Sequence, residues 1–176
     1  VGFSSGASAH NESQAVTMLG APLTLVQSTT ALSPPTLRFH RDGRLHAAWI
    51  EKNGVQGEVK TAAISADHSA VAQVSVNPPG AGPEAVHQSP GFAIGVDGEQ
   101  FVTWSSANKT PGALFASDLR LARLDSGGAR VQPPVQVNDD GLAISHTFEH
   151  MVAGKNGEVY VAWLDGRNKD RSGAGI

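Results

Sequence analysis

The chain has 176 residues, a formal net charge of −3, a pI near 6.1 and no cysteine. Lysine and arginine are scattered along it, so a nucleic-acid partner is not indicated, and no apolar run approaches the roughly 18 residues of a membrane-spanning helix. Twenty glycines and ten prolines, with only 16% charged residues, favour many short strands over long helices.

The first 20 residues are polar and lack hydrophobic periodicity, so we expect residues 1–20 to form a flexible N-terminal segment. The chain begins with valine rather than methionine, and removal of an export signal would explain this start. We therefore expect an extracytoplasmic protein, either periplasmic or secreted. The stretch APLTLVQS, from residue 21, predicts a strand that ends a preceding repeat.

Three tryptophans each end a similar eight-residue phrase: DGRLHAAW, DGEQFVTW and NGEVYVAW. Trp49, Trp104 and Trp163 follow one another at intervals of 55 and 59 residues. A repeat of this length built from short strands is typical of one four-stranded propeller blade. Because the tryptophan recurs in the same register, we interpret it as packing between blades rather than as a carbohydrate-binding platform.

Each phrase opens with an Asp-Gly or Asn-Gly pair, which predicts a two-residue hairpin turn. Four strands, called A to D in chain order, make up a repeat, and the repeats cover about residues 34–77, 89–138 and 148–176. They predict an all-β fold: a partial β-propeller of four-stranded antiparallel blades, with about two and a half blades in residues 21–176. Propellers typically have about 4 to 8 blades, so we expect residues outside this chain, or another chain, to supply the remainder.

The predicted turns between C and D strands contain SADHSAVA and RLDSGGAR. They resemble the Asp-box, Ser-x-Asp-x-Gly-x-Thr-Trp, of sialidase-like propellers with BNR repeats. Asp67 and Asp125 keep the aspartate of the box, and the other positions are degenerate. The phrases PVQVNDDG and VYVAWLDGRN are also similar to this family, so the resemblance covers about residues 21–176. It implies a propeller whose A strands are innermost.

The resemblance does not bring the chemistry of a sialidase with it. A sialidase would have an arginine just before the proline of the first A strand, where this chain has Ser33 and Pro34 within SPPTLRFH. The nucleophilic tyrosine of the family belongs to later blades, and the one tyrosine present, Tyr160, lies in a predicted B strand. Sialidase activity is therefore not assigned to these residues.

The D-to-A crossings and the B-to-C loops should share one propeller face, close to the central channel. His87 and His146 occupy equivalent positions there, each ten residues before an Asp-Gly or Asn-Gly turn. Asp165 and Arg167 lie on the same face, in a B-to-C loop. We predict that these four residues bind a ligand, which is a glycan, a protein or a small molecule; the Asp165–Arg167 pair could instead brace the loop.

A transition-metal site is an alternative use of the same face. His87, His146, Glu149 and His150 offer imidazole and carboxylate groups, which are ordinary ligands of such metals. The competing interpretation is that a histidine in a crossing loop hydrogen-bonds to the backbone. No other cofactor is expected.

Three functions follow from these patterns. The leading hypothesis is an exported, sialidase-like β-propeller module that binds a carbohydrate or protein ligand on the face of the D-to-A and B-to-C loops. The second is a fragment of a sialidase-type glycoside hydrolase that lacks the nucleophile. The third is a metal-binding propeller. Propellers support many functions, so the fold alone does not choose among them.

Overall fold

The computed structural model describes residues 24–53, 56–67, 71–79, 81–82 and 89–168, and every structural statement below refers to these residues. They form ten strands and one short 3-10 helix. In chain order these are β1 (Thr36–Phe39), β2 (Leu45–Asn53), β3 (Gln56–Ile64), β4 (Val71–Ser75), β5 (Gly91–Ile94), β6 (Gln100–Ala107), β7 (Ser117–Leu124), β8 (Val135–Gln136), β9 (His146–Ala153), β10 (Val159–Asp165) and the 3-10 helix Gly166–Asn168. The described part of the chain has no helix with the length and hydropathy to cross a membrane.

The strands form two four-stranded antiparallel sheets, β1-β2-β3-β4 and β5-β6-β7-β8, and a hairpin of β9 and β10. The first strands of successive sheets are neighbours, β1 beside β5 and β5 beside β9, so the A strands adjoin one another. This is the arrangement of propeller blades around an axis. The predicted all-β partial propeller is confirmed.

The main core lies between the first two sheets. It consists of Ala48, Ile50, Val59, Val76, Phe92, Val102, Trp104, Ala122 and Leu124. Trp104 is 1% exposed and donates its Nε1–H to Ser106 Oγ at 3.0 Å. Trp49 is also buried, in a second cluster against which Leu25 and Val26 pack. The positions of Trp49 and Trp104 agree with their interpretation as packing residues, whereas Trp163 is half-buried.

The turns between A and B strands differ from the two-residue turns that the sequence predicts. Gly43, Gly98 and Gly157 have φ of 85°, 84° and 83°, but the aspartate or asparagine before each has an ordinary negative φ. A two-residue type I′ turn needs positive φ at both central positions. The first loop instead spans residues 40–44, with Gly43 N donating to His40 O at 3.0 Å. Gly43 is required because its backbone is left-handed, a conformation that glycine adopts without steric cost.

The predicted D strands are only partly present. β4 matches its prediction, but β8 has just two residues, since Pro133 and Pro134 have no N–H to add to the ladder. Residues 24–28 form no strand, although the sequence predicts one from residue 21; residues 21–23 lie outside the described part. The apolar side chains in residues 24–28 pack on the first sheet without pairing to it.

A buried asparagine closes the fourth strand in both complete repeats. Asn77 Oδ1 accepts a hydrogen bond from Val59 N at 2.5 Å, and Asn138 Oδ1 accepts one from Leu119 N at 2.9 Å. The residue before each asparagine pairs with the same C strand through its backbone. This equivalence is independent structural evidence for the internal repeat.

The aspartate of the degenerate box forms the turn between C and D strands, as the sequence predicts. Asp125 Oδ1 accepts hydrogen bonds from Gly127 N at 2.9 Å and from Ala129 N at 2.8 Å. In the first repeat, Ser65 Oγ donates to Asp67 Oδ1 at 2.6 Å. The two turns therefore use the carboxylate to hold the loop, and they lie at the end of the blades away from the D-to-A crossings.

We expect Asn138→Ala to lower the free energy of unfolding by about 1–3 kcal/mol, because the buried N–H of Leu119 loses its partner. Asn77→Ala should cost a similar amount, because Val59 N–H loses the same kind of partner. Urea denaturation followed by tryptophan fluorescence measures both. Gln73→Ala, at an exposed position of β4, is the control and should change stability by less than about 0.5 kcal/mol. Equal effects of all three substitutions would contradict the prediction.

Candidate functional site

The third hairpin contains a β-bulge beside the candidate site. The sequence predicts that His146 and Glu149 lie in a crossing loop. This prediction is wrong, because β9 begins at His146 and both are strand residues. The pairing of β9 with β10 shifts register between Ala162 and Leu164. Phe148 lies in this irregular stretch with a φ of 58°, the only left-handed non-glycine residue in the described part. Such a backbone conformation costs about 1–3 kcal/mol and is typical of functional sites.

His146 makes three contacts with one serine of the neighbouring sheet, Ser117. His146 N donates to Ser117 Oγ at 2.9 Å, and Ser117 Oγ donates to His146 O at 2.8 Å. The ring Nδ1 lies 2.6 Å from Ser117 O. A carbonyl oxygen can only accept, so Nδ1 carries a hydrogen and donates it. Because Ser117 begins β7, this His146–Ser117 contact joins the hairpin to the second sheet.

The other ring nitrogen of His146 faces two carboxylates. Nε2 lies 3.1 Å from Asp140 Oδ2 and 3.8 Å from Asp165 Oδ2. Asp140 is in the crossing between β8 and β9, and Asp165 is the last residue of β10. Arg167 Nη2 lies 2.7 Å from Asp165 Oδ2 and 3.5 Å from Asp140 Oδ2. We call these four residues the acid–histidine cluster.

Burial and charge act together on the acids of the cluster. The side chain of His146 is 0% exposed, and those of Asp140 and Asp165 are 7% and 17% exposed. A hydrogen bond from Arg167 is the main cause that lowers the pKa of Asp165 to about 2. Burial raises the pKa of Asp140, but the Leu142 N–H and the adjacent His146 and Arg167 outweigh it and lower this pKa. Both acids are therefore carboxylates at neutral pH.

A separate cleft lies where the A strands converge. Its volume is about 240 Å³, and we call it the central cleft. Its described lining is Thr36, Arg38, Ser89, Pro90, Gly91, Phe92, Phe148, Glu149, His150 and Met151. These residues come from β1, β5 and β9 and from the crossing that enters β5, so the cleft lies on the axis side of the blades, at the face of the D-to-A crossings.

Glu149 is the acidic group of the central cleft. Its residue is 6% exposed, and burial raises the pKa of its carboxyl. Its Oε2 lies 3.3 Å from Ser105 Oγ, which donates to His146 O at 2.8 Å. Ser105 thus lies between the central cleft and the acid–histidine cluster. Gly91 is needed opposite, because a Cβ there would come within 2.2 Å of Thr103 Oγ1 and 3.4 Å of Glu149 Cγ.

Arg38 supplies a positive charge to the central cleft. Its side chain is exposed, and its Nη1 donates to the carbonyl of Leu37 at 2.8 Å. Within the described part of the chain it has no carboxylate partner. Phe148, which is 60% exposed, adds an aromatic ring to the same lining. The cleft therefore combines a cation, a buried acid and an apolar surface.

A larger cavity of about 480 Å³ lies between the first and second sheets. Its carboxylate, Asp118, already contacts the side-chain amides of Asn108, Gln136 and Asn138. Arg120 lies 3.8 Å from the same carboxylate. The acid of this cavity is thus satisfied by the fold.

The predicted site residues fall into three groups. Asp165 and Arg167 pair with each other, and His146 is buried beside them. Glu149 and His150 line the central cleft instead, so they do not join His146 in the metal-binding group that the sequence predicts. The extended strand explains why His146 and His150 are apart, because they lie four residues from each other along β9. His87 lies outside the described residues.

Sequence reasoning missed Asp140, Arg38 and Phe148. Asp140 stands in a D-to-A crossing, and such crossings were predicted to reach the ligand face, so its position in NDDG was a usable signal. Arg38 lies in an A strand. A charged residue on an inner strand is unusual, so it was also a signal of a site. Nothing in the sequence marks Phe148, because only the register of the folded hairpin creates the bulge.

No protein-family model matches the sequence, and no curated protein is significantly similar to it. Among solved structures, the chain is similar to an endo-arabinase from Bacteroides thetaiotaomicron VPI-5482, with a TM-score of 0.55 and 18% identity over 84% of this chain and 57% of that one. It also matches a thermostable family-43 glycoside hydrolase, with a TM-score of 0.46 and 11% identity over 80% of this chain and 50% of that one.

The chain thus spans less than two thirds of either structure. The endo-arabinase has a TM-score above 0.5, and at 18% identity that likeness establishes the fold alone. It supports a β-propeller fold. It does not specifically support the sialidase-type repeats that the sequence resembles.

We expect Glu149→Gln to stabilise the protein increasingly as pH rises. Because the pKa of Glu149 is raised in the folded state, the stability that its neutral form provides is complete below the unfolded pKa, about 4.3, and is lost as pH rises through the folded pKa. The glutamine amide stays neutral throughout. The variant and the wild type should melt alike below about pH 4, and the variant should melt at a higher temperature at neutral pH.

Thermal melts from pH 3 to 8 measure this difference. Glu158→Gln, in the turn between β9 and β10, is the matched control and should show no such increase with pH. A difference between the Glu149 variant and the wild type that is constant across this range would contradict a raised pKa.

Proposed function

We propose that the protein is a sialidase-like β-propeller module that binds an acidic carbohydrate in the central cleft. One observation carries the proposal: Arg38, Glu149 and Phe148 line the same cleft, and Arg38 has no carboxylate partner among the described residues. The fold likeness to an endo-arabinase makes carbohydrate the first ligand class to test.

The three side chains match three features of an acidic sugar. A guanidinium can form a bidentate pair with a carboxylate, which adds geometry as well as energy to recognition. A protonated Glu149 would donate a hydrogen bond to a hydroxyl oxygen, because a neutral carboxyl has one O–H donor. The ring of Phe148 offers an apolar surface to the C–H face of a sugar ring.

The left-handed backbone of Phe148 fits this function. The conformation costs free energy, yet it presents the ring to the cleft at 60% exposure instead of burying it. A residue selected only for stability would more commonly be glycine at this φ. The aromatic side chain is therefore best explained by a contact that the described residues do not supply.

Glycoside hydrolysis is the second candidate function. The raised pKa of Glu149 is a property expected of a general acid. Hydrolysis by the usual routes needs a second carboxyl group about 5–9.5 Å away, on the other side of the scissile bond. Glu149 is the only carboxyl group in the described lining of the central cleft, so binding is favoured over hydrolysis.

The proposal also includes export from the cytoplasm and the presence of further blades. Exposed carbohydrate polymers are found mainly outside cells, which is where such a module would meet its ligand. Further blades, from residues outside this chain or from a partner chain, would complete the wall of the cleft. A protein ligand at the same face is an alternative that the binding experiment also addresses.

We expect the protein to bind acidic oligosaccharides more tightly than neutral ones, measured by glycan array and then by titration calorimetry. Arg38→Gln should weaken binding of the acidic ligand about 10- to 100-fold, because a charge-assisted pair is lost. Phe148→Ala should also weaken it. Arg41→Gln and Phe39→Ala, in and beside the turn that follows β1, are matched controls and should bind like the wild type.

Equal binding of acidic and neutral sugars, or equal losses in test and control variants, would overturn the proposal. An assay with chromogenic aryl glycosides separates the two candidate functions. Release of the aryl group that Glu149→Gln abolishes would favour hydrolysis. Binding without release would favour the binding module.

A further inference from the structure

We infer that Asp140, His146 and Asp165 form a binding site for a divalent transition-metal ion, with Zn²⁺ as the best match. In the described part of the chain, these are the residues whose ligand atoms come together, all within 4.8 Å of one another. The inference does not depend on the proposed carbohydrate function, because none of the three lines the central cleft.

The tautomer of His146 suits a metal ligand. Its Nδ1 donates to the carbonyl of Ser117 at 2.6 Å, so Nε2 is the atom directed at the carboxylates. Metal-binding histidines almost always donate their other ring N–H to a carbonyl or carboxylate in this way. The ring is also completely buried, so its orientation is held before any ion binds. The histidine is thus prepared as a ligand.

The Nε2 atom of His146 faces two carboxylates. Its neighbours are Asp140 Oδ2 at 3.1 Å and Asp165 Oδ2 at 3.8 Å, and both carboxylate oxygens can only accept. The lone pair of a neutral imidazole would therefore point at two acceptors. Either a proton on Nε2 or a metal ion between these groups resolves this arrangement. A titration with Zn²⁺ distinguishes the two.

The distances between the three ligand atoms and their chemical types are close to those of a zinc site. Tetrahedral zinc with bonds of about 2.0–2.2 Å has ligands about 3.3–3.6 Å apart. The two observed separations from Nε2 lie on either side of this range, so small shifts of the carboxylates would suffice. One imidazole with two carboxylates suits Zn²⁺ or Mn²⁺, whereas Ca²⁺ prefers oxygen alone.

Arg167 would compete with a metal ion for the two carboxylates. Its guanidinium contacts Asp165 Oδ2 at 2.7 Å and lies 3.5 Å from Asp140 Oδ2. Arg167 lies in the three-residue 3-10 helix that follows β10, and its side chain is 43% exposed. The side chain can therefore turn out to solvent. A bound ion would replace its charge between the carboxylates. Removing the guanidinium should therefore tighten metal binding.

This competition separates a metal site from an ion-pair network that only braces the hairpin. In a purely structural network, loss of Arg167 destabilises the protein and gives no affinity for an ion. In a metal site, the same substitution leaves all three ligands in place and removes their competitor. Arg167→Gln is therefore the decisive variant.

The experiment titrates chelator-treated protein with ZnCl₂, and separately with MnCl₂ and CaCl₂, by calorimetry. We expect one Zn²⁺ per chain and weaker binding of Ca²⁺. Asp140→Asn and Asp165→Asn keep the side-chain shape and should each weaken Zn²⁺ binding at least about tenfold. Arg167→Gln should tighten it several-fold, and Arg41→Gln and His150→Gln should leave it unchanged.

Zn²⁺ should also raise the melting temperature of the wild type and of Arg167→Gln, but not of Asp165→Asn. Circular dichroism confirms that each variant is folded. If an asparagine variant does not fold, the Arg167→Gln titration still decides the question. Wild-type protein without Zn²⁺ binding, undiminished binding in both asparagine variants, or no gain in Arg167→Gln would each overturn the inference. Carbohydrate binding measured with a chelator present tests the proposed function separately.

Discussion

The contact between His146 and Ser117 is the interaction on which the rest of the site depends. One serine engages the backbone N–H, the backbone carbonyl and the ring of the histidine, and all of these groups are buried. Breaking the contact would leave several buried polar groups without partners, at a cost of about 1–3 kcal/mol each. The contact joins the β9–β10 hairpin to β7 at the residue where β9 begins.

Two chemical environments follow from that starting point. At the start of β9, the ring of His146 meets Asp140 and Asp165, and the carboxylates are shared with Arg167. Three residues further along, at the bulge, Glu149 reaches the central cleft, where burial favours its neutral form. The two carboxylates beside His146 come from the crossing before β9 and from the end of β10, so they do not line that cleft. The ionised carboxylates beside His146 and the buried carboxyl of Glu149 thus lie near one short strand without sharing an environment.

The sequence predicted the architecture because propeller blades repeat a local pattern. Strand alternation, the glycines after the A strands and the tryptophans in the B strands each report short-range structure, and they recur in every repeat. The short β8 follows from Pro133 and Pro134, which the sequence shows. The same periodicity could not predict the start of β9, because that depends on which backbone groups find partners in other segments of the folded chain.

The sequence by itself determined that this is an all-β chain of repeated four-stranded units, and it identified the face on which charged residues gather. Only the tertiary structure decided how those residues are grouped. It separated Glu149 from His146, added Asp140 to the histidine, and brought Arg38 to the cleft across two sheets. The physical reason is that strand patterns are set over a few residues, whereas a site is set by distances of 3 to 4 Å between segments far apart in the chain.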